Sequence, residues 1–397
     1  MWLSDISIVL PDRLIKDGAV RIQNGLIAEI SERPVKDGLR ASGHRLFPGF
    51  IDMHGDMIEL ELEPRPRVDF PIEVAIRHLD ARLAASGVTT AYAGVSFSRS
   101  AKDGERRSFE HTSQVIRALK KNIEGLRVDH RIHARFDITY TDAIASLDGM
   151  LTSGVVDLVS VMDHTPGQGQ YRDLEKLVAY RSYGQGVSKE DARAQIEDKI
   201  AAAIPTQQVL ENLERVSQIC RNYGVPLASH DDDTASKADL MADIGAVISE
   251  FPVTLEAAKA AAARGLMIAM GAPNAMRGKS YSGNLSARDA HEAGLLSILA
   301  ADYHPATILP AIMALAERDP DGLAGAARLA TANPAKALGL TDRGDITVGK
   351  RADLVLIDPE GNVALTLREG QTIYANGTLE HPSTRPAEIV KQVLQTV

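Results

Sequence analysis

This sequence has a single cysteine and no excess of positive charge. Cys220 is the only cysteine among 397 residues, which excludes an intrachain disulfide and any zinc site built from several thiolates. The formal net charge is −9 and the sequence pI is about 5.7. A nucleic-acid-binding protein usually has a basic domain or stripe, so this balance argues against that class. It leaves room for an anionic small molecule, because a local basic cluster can lie on an acidic protein.

Long hydrophobic runs are also absent. No apolar run approaches the roughly 20 residues that a membrane-spanning helix needs. The first residues lack a charged region followed by an apolar core, so we expect no signal peptide and a cytoplasmic protein. Hydrophobic residues nonetheless make up 44% of the chain, which suffices for a large core in a large domain plus a smaller one.

Short strand-like segments occupy both ends of the chain. Asn24-Gly25 and Asn376-Gly377 are typical of hairpin turns. The strand candidates beside them are residues 6–10, 18–22 and 26–30 near one end, and 352–357, 363–367 and 372–375 near the other. We therefore predict a small β-sandwich domain built from residues 1–48 and 342–397, with a catalytic domain of residues 49–341 between them.

The middle of the chain alternates eight strand candidates with segments of helical periodicity. The strand candidates are residues 49–53, 88–95, 133–139, 155–162, 226–229, 246–250, 266–270 and 296–300. This alternation predicts an α/β fold, a parallel (β/α)₈ TIM-like barrel. A doubly wound open sheet is the rival, but no Gly-rich phosphate fingerprint follows the first strand. Residues 163–186 are predicted to be a long irregular loop over the active site.

Metal-binding residue types recur at the predicted strand ends. His54 and Asp56 lie two positions apart and face the same side of a strand, so they can bind one divalent cation together. Further candidates at later strand ends are Asp137, Asp163, His164, His230, Glu250 and Asp302. In a barrel these ends meet at one face. The sequence therefore predicts a metal-dependent hydrolase.

Within this set we assign roles by residue type. His54, Asp56, Asp137 and His230 are predicted metal ligands, and Asp302 is the predicted base that takes a proton from water. Asp163, His164 and Glu250 are metal ligands or pocket residues. The alternatives are structural: Asp137 would pair with Arg135, Asp163 and His164 would form a turn before Pro166, and Glu250 would cap the next helix.

A second group of residues points to an anionic substrate. The segment after the seventh strand candidate mixes glycines with cations, amides and hydroxyls, a composition suited to phosphate. Its predicted substrate-binding residues are Asn274, Arg277, Lys279, Ser282 and Asn284, with positive charge added from other loops by Arg135 and Arg172. Barrels often bind phosphate in the loops after strands 7 and 8. An ordinary polar loop is the alternative.

Several longer strings resemble a known family. Pro-Gly-Phe-Ile-Asp-Met-His-Gly-Asp (residues 48–56) and the tail at residues 344–355 resemble the amidohydrolase superfamily. Residues 159–168, 228–232, 249–252 and 270–274 are similar to its phosphonate-metabolism PhnM family. The resemblance implies a metal-bearing (β/α)₈ barrel with a β-sandwich from both termini. It also implies hydrolysis of α-D-ribose 1-methylphosphonate 5-triphosphate to the 5-phosphate and diphosphate, within the carbon–phosphorus lyase pathway.

The resemblance also implies roles for individual residues. His54, Asp56, His230 and Asp302 match the metal and catalytic positions of the family, whereas Asp137 stands where the family pattern has Glu. The expected cofactor is one or two divalent ions, zinc first, with manganese, iron or nickel as alternatives.

Two other functions stay open at this stage. One is an amide or cyclic-amide hydrolase or deaminase, and the other is an inactive barrel used for binding or assembly. The expected partner is a small phosphorylated ribosyl phosphonate rather than nucleic acid or a membrane. A homodimer is also left open.

Overall fold

The computed structural model of the chain describes residues 1–65, 68–97, 109–280 and 283–379. Its strands are β1 (Trp2–Val9), β2 (Leu14–Gln23), β3 (Leu26–Ser31), β4 (Leu39–Arg40), β5 (Arg45–Pro48), β6 (Phe50–Gly55), β7 (Val88–Phe97), β8 (Asp129–Asp137), β9 (Leu158–Met162), β10 (Leu227–His230), β11 (Ile248–Glu250), β12 (Met267–Gly271), β13 (Leu296–Ala300), β14 (Leu354–Ile357), β15 (Val363–Arg368) and β16 (Gln371–Ala375). The two longest elements of the barrel wall, β7 and β8, pair over eight residues.

The α-helices alternate with these strands through the middle of the chain. They are α1 (Met57–Leu62), α2 (Ile72–Ala85), α3 (Phe109–Asn122), α4 (Ile144–Thr152), α5 (Leu174–Gln185), α6 (Lys189–Ala201), α7 (Thr206–Tyr223), α8 (Ala235–Asp243), α9 (Leu255–Ala263), α10 (Ala272–Arg277), α11 (Ala287–Glu292), α12 (Ile308–Ala316), α13 (Gly322–Arg328) and α14 (Ala332–Ala337). In the part of the chain that the structure describes, no helix combines the length and apolarity needed to cross a membrane.

Strands β6 to β13 form one parallel sheet in sequential order. The sheet curls until Gly55, at the end of β6, forms a parallel bridge with Asp302, just beyond β13. The predicted (β/α)₈ barrel is therefore confirmed, and each predicted strand overlaps an observed one. The open doubly wound sheet was the wrong alternative. The carboxyl ends of all eight strands face the same end of the barrel, as the site prediction requires.

Burial explains why these segments become barrel strands. All ten residues of β7 and all five of β9 are buried, as expected for parallel strands covered on both faces. The barrel interior holds large side chains such as Ile51, Met53 and Tyr92. Outside it, helices cover the sheet with apolar stripes, and Cys220 lies buried in the stripe of α7.

The terminal strands form a second sheet with the order β16-β15-β14-β5-β1-β2-β3, and β4 pairs with β1. Asn24 and Gly25 join β2 to β3 with φ values of 53° and 77°, the left-handed conformations that a tight hairpin requires. A sheet drawn from both termini is thus confirmed. The exact domain limits at residues 48 and 342 stay a prediction, and residues 380–397 lie outside the described residues.

The predicted irregular loop at residues 163–186 is partly wrong, because it contains the whole of α5. Asp173 caps this helix by accepting a hydrogen bond from the Lys176 amide (3.1 Å), and Gly186 ends it in the left-handed conformation. Helices α5 and α6 pack on each other through a small cluster of buried side chains, Leu177, Val178, Ala192 and Ile196. Because so few side chains are buried, the segment lacks the continuous apolar stripe by which helices are recognised in a sequence.

Candidate active site

A cavity of about 620 Å³ opens at the carboxyl ends of the barrel strands. The structure brings most of the predicted site residues to its lining: His54, Asp56, Arg135, His164, His230, Asn274, Arg277, Lys279, Asn284 and Asp302. They come from six different strands and the segments that follow them. The arrangement has the place and size of a small-molecule site in a barrel.

His54, His230 and Glu250 form a buried cluster at the floor of this cavity. One ligand atom from each lies within 4.8 Å of the others. His54 Nδ1 is 3.2 Å from Glu250 Oε2 but not in hydrogen-bond geometry. Among the described residues, neither ring nitrogen of His230 has a partner in hydrogen-bond geometry, although Nδ1 lies 3.0 Å from Asp231 Oδ2. Buried polar atoms without partners are costly, and imidazole nitrogens with carboxylate oxygens suit a divalent transition metal, so the cluster fits such an ion.

The electrostatics of the cluster favour a cation. Burial would lower the pKa of His54, but the negative charges of Glu250 and Asp56 raise it to about 10. Burial would raise the pKa of Glu250, while His133 and His54 lower it to about 2. The carboxylate of Glu250 is therefore ionised although its side chain is fully buried, and it needs positive charge nearby. A proton on His54 or a divalent ion can supply that charge.

Asp56 faces the same cavity and is held by Arg135 from β8. Arg135 Nη1 lies 2.5 Å from Asp56 Oδ1, and His54 Nε2 lies 3.4 Å from the same oxygen. Burial opposes ionisation of Asp56, but Arg135 and His54 hold its pKa well below the usual range. Gly94 leaves the space for this pair, since a Cβ there would lie 3.0 Å from Asp56 Oδ1. The guanidinium holds the Asp56 carboxylate in its ionised form.

Asp302 follows β13 with φ 57°, a conformation rare for residues other than glycine. Its backbone N–H donates to the His54 carbonyl (2.9 Å), and its carbonyl accepts from the Asp56 N–H (2.8 Å). Gly271 leaves room for the side chain, because a Cβ there would lie 2.9 Å from Asp302 Oδ2. Burial and the charge of Asp56 raise the pKa of Asp302 to about 6. A carboxylate with this pKa is suited to taking a proton from water.

Some predicted site residues are not brought to the cavity. Asp137 Oδ1 accepts hydrogen bonds from the Thr139 amide (3.0 Å) and hydroxyl (2.6 Å), and Asp163 Oδ1 accepts from the Thr165 amide (2.9 Å). Both carboxylates thus serve turns after their strands, and neither lines the cavity. Arg172 is exposed and outside the lining, and Ser282 lies outside the described residues.

Sequence reasoning missed two residues beneath the floor. His133 is buried with Nε2 2.8 Å from Ser160 Oγ and 3.7 Å from Glu250 Oε1. Asp52 is also buried, and its Oδ1 accepts hydrogen bonds from the amides of His54 (3.2 Å) and Ala301 (2.8 Å). Both residues lie two positions from a predicted site residue on the same strand. The period-two pattern could therefore have identified them.

Sequence reasoning also missed four residues of the cavity lining, and three of them lie on helices rather than at strand ends. Tyr180 and Arg181 of α5 and Lys199 of α6 line the cavity from its rim. Asp231, in the left-handed conformation, also lines it, with Oδ2 3.0 Å from His230 Nδ1. Asp231 directly follows β10, so its place at a strand end could have identified it, whereas nothing in the sequence pattern places α5 and α6 over the cavity.

Comparison with known proteins gives consistent matches. The model of the amidohydrolase family matches residues 45–373. The α-D-ribose 1-methylphosphonate 5-triphosphate diphosphatase of Escherichia coli (strain K12) is 36% identical over 94% of this chain and 100% of its own length. The imidazolonepropionase of Streptomyces griseus subsp. griseus is 28% identical over 91% of this chain and 90% of its own.

Solved structures match the fold at low sequence identity. The 5-methylcytosine deaminase from Klebsiella pneumoniae aligns with a TM-score of 0.65 at 16% identity, covering 96% of this chain and 100% of that one. The N-acetyl-D-glucosamine-6-phosphate deacetylase from Mycobacterium smegmatis aligns with a TM-score of 0.61, also at 16% identity, over 94% of this chain and 100% of that one. These matches support the barrel architecture with its terminal sheet.

Proposed function

Because the chain belongs to the amidohydrolase family and is a hydrolase, we propose that it converts α-D-ribose 1-methylphosphonate 5-triphosphate to the 5-phosphate and diphosphate. The observation that carries the proposal is the pairing of two features in one cavity. A metal-type floor of His54, His230 and Glu250 lies below Arg277 and Lys279, which have no ion-pair partner among the described residues. Positively charged side chains without ion-pair partners, in the same cavity as a cluster that could bind a metal ion, suit a polyphosphate substrate better than a neutral amide.

The residues that would hold one or two divalent ions are His54, His230 and Glu250, with Asp56 beside them. Asp137, which the sequence had suggested, is left out because its carboxylate is used by the Thr139 turn. A bound divalent ion would acidify water and polarise the bond under attack. Zinc is our first choice, since nitrogen and carboxylate ligands are usual for it, and manganese, iron and nickel are the alternatives.

The protein's own residues would do the rest. Asp302 takes a proton from the attacking water while the water oxygen bonds to the phosphorus nearest the ribose. The anhydride bond to the next phosphorus breaks, and diphosphate leaves with the bonding electron pair. Arg277 and Lys279 lower the cost of the charge that builds up on the leaving diphosphate. Arg135 keeps Asp56 ionised and oriented beside His54.

The test combines metal analysis with a product assay. The purified protein would be analysed for bound metals, and diphosphate would be measured after incubation with the ribosyl phosphonate triphosphate, with ATP as a matched control. We expect at least one divalent ion per chain, release from the phosphonate substrate, and little from ATP. Metal without diphosphate release from either triphosphate would overturn the proposal.

A cyclic-amide hydrolase is the second candidate, favoured by the match to imidazolonepropionase. Such an enzyme would use the same His54, His230 and Glu250 cluster for attack of water at a carbon atom. A neutral cyclic amide would give Arg277 and Lys279 no negative charge to bind. Assaying imidazolonepropionate in parallel distinguishes the two, because ring opening without diphosphate release would select the cyclic-amide activity.

A further inference from the structure

Four cations surround the mouth of the cavity: Arg181 and Lys199 from the α5–α6 pair, and Arg277 and Lys279 from the end of α10 and just beyond it. Within the described part of the chain, none of the four forms an ion pair. The protein as a whole is acidic, with a formal net charge of −9. Four uncompensated cations around one cavity therefore mark a local positive field in an otherwise negative molecule, which attracts and holds anions.

The α5–α6 pair is built as a separate unit over the cavity. Its apolar side chains are buried against each other in their own cluster rather than in the main barrel core. The segment that leads into α5 is tied to the barrel, because the Gly169 amide donates to Asp233 Oδ2 (2.9 Å). On the far side Lys176 Nζ lies 3.4 Å from the position that a Cβ of Gly283 would occupy. The pair thus reaches from the end of β10 to the segment after α10, across the mouth.

The cations of this unit differ according to the side they face. Arg193 of α6 lies away from the cavity and pairs with both carboxylate oxygens of Glu175 (2.9 and 2.8 Å). Arg181 and Lys199 line the cavity, are only partly exposed and have no carboxylate partner among the described residues. A partly buried cation without a counter-ion is costly unless a ligand supplies the negative charge.

We propose that Arg181 and Lys199 form a phosphate clamp for the leaving diphosphate portion of a triphosphate substrate, in the cavity that Arg277 and Lys279 also line. The inference rests on the proposed diphosphatase function. The guanidinium of Arg181 can bind phosphate oxygens in pairs, and the ammonium of Lys199 adds a point charge. The clamp selects chains of linked phosphates, because such a chain presents more anionic oxygens than a single phosphate and can contact more of the four cations at once. The α5–α6 pair therefore determines specificity for the length of the phosphate chain.

The experiment uses the metal-loaded protein and three variants, Arg181→Gln, Lys199→Gln and Lys189→Gln. Lys189 is an exposed residue at the start of α6 outside the cavity, so its variant is the matched control for charge. Calorimetry would measure the binding of inorganic diphosphate and of orthophosphate, and kinetics would give kcat and KM for the triphosphate. We expect each clamp variant to weaken diphosphate binding and raise KM by at least about tenfold, as loss of a charged hydrogen bond predicts. Orthophosphate binding and kcat should change by less than about threefold.

The outcomes separate the two proposals. If the unsubstituted protein releases diphosphate and the clamp variants behave like Lys189→Gln, the clamp is wrong and the diphosphatase stands. If the unsubstituted protein releases no diphosphate from the triphosphate, the proposed function fails first. A general loss of fold would lower kcat and thermal stability together. Arg181→Lys, which keeps the charge, should then restore part of the diphosphate affinity if the clamp is right, and none if Arg181 is only structural.

Discussion

The amide of Asp302 donates to the carbonyl of His54 at 2.9 Å, so the first and last barrel strands join at two residues to which we assign roles in the chemistry. The carbonyl of Asp302 accepts in turn from the Asp56 amide at 2.8 Å. The same two hydrogen bonds therefore close the barrel and place the proposed base, Asp302, beside the proposed metal ligands His54 and Asp56.

Replacing Asp302 with Asn should keep the bound metal and lower kcat by at least about a hundredfold, the usual cost of removing a general base. The amide is nearly the same size and keeps the space left by Gly271. Elemental analysis and steady-state kinetics on the same sample check both parts. Turnover close to that of the unsubstituted protein would remove Asp302 from the mechanism.

Replacing Glu250 with Gln should lower the metal content, because the buried negative charge between His54 and His133 is lost. We expect at least a tenfold loss of metal affinity, within the range seen when residues supporting a metal site are changed. Metal titration of the chelated protein measures it. Glu256→Gln, at an exposed position of α9, is the control, and equal affinities for the two variants would exclude Glu250 from the site.

Replacing Arg277 with Ala should raise KM for the triphosphate by roughly tenfold or more, since a charged hydrogen bond to phosphate contributes about 1.5–3 kcal/mol. KM for a neutral amide should be unaffected. Arg172→Ala provides the control, because Arg172 was predicted from the sequence to bind substrate but lies outside the cavity. If the Arg172 variant alone raised KM, the assignment of the phosphate-binding loop would be wrong.

Replacing Gly94 with Ala should disturb the Arg135–Asp56 pair. The added methyl group would lie 3.0 Å from Asp56 Oδ1 and 3.2 Å from Arg135 Cδ, both tighter than ordinary contact. Overpacking of this kind costs about 1–3 kcal/mol of stability. We expect lower thermal stability together with lower activity. Gly149→Ala in α4, where a Cβ meets nothing within 4 Å, should instead stabilise the protein by about 0.5–1 kcal/mol.

Replacing Asp80 with Asn should destabilise the barrel by about 1–3 kcal/mol at neutral pH. Asp80 is buried in α2 and accepts hydrogen bonds from the amides of Arg127 (3.1 Å) and Val128 (3.0 Å), with His130 Nε2 at 3.1 Å. Burial would raise the pKa of Asp80, but His130 and these amides lower it below its usual value. Urea unfolding at pH 7 and pH 3 provides the measurement.

The sign of the pH effect follows from the lowered pKa of Asp80. Its ionised form stabilises the folded chain above the unfolded pKa of about 4 and loses this contribution as the pH falls through the folded value. The difference in the free energy of unfolding between the Asn variant and the unsubstituted protein should therefore be largest at pH 7 and should decrease below about pH 4. A constant difference would show that the charge of Asp80 is not what matters. Asp142→Asn, at an exposed position, should change stability at neither pH.

The alternation of strand and helix determined the barrel, because periodicity along the chain reports which faces are buried. The same logic placed His54, Asp56, His230 and Asp302 at one end, since parallel strands end on the same side. The sequence pattern could not decide whether a polar side chain at a strand end forms hydrogen bonds with the turn that follows it or points into the cavity. Asp137 and Glu250 each end a strand, yet Asp137 bonds to Thr139 and Glu250 reaches the floor.

Only the tertiary structure decided what covers the site and what compensates its charges. His133 and Asp52 matter because other strands bring Glu250 and Ala301 against them. Arg181 and Lys199 matter because α5 and α6 fold on each other across the cavity mouth. The physical reason is that the two depend on different distances along the chain. The periodicity of side chains is set by residues a few positions apart, whereas the burial of a charge depends on every element packed around it.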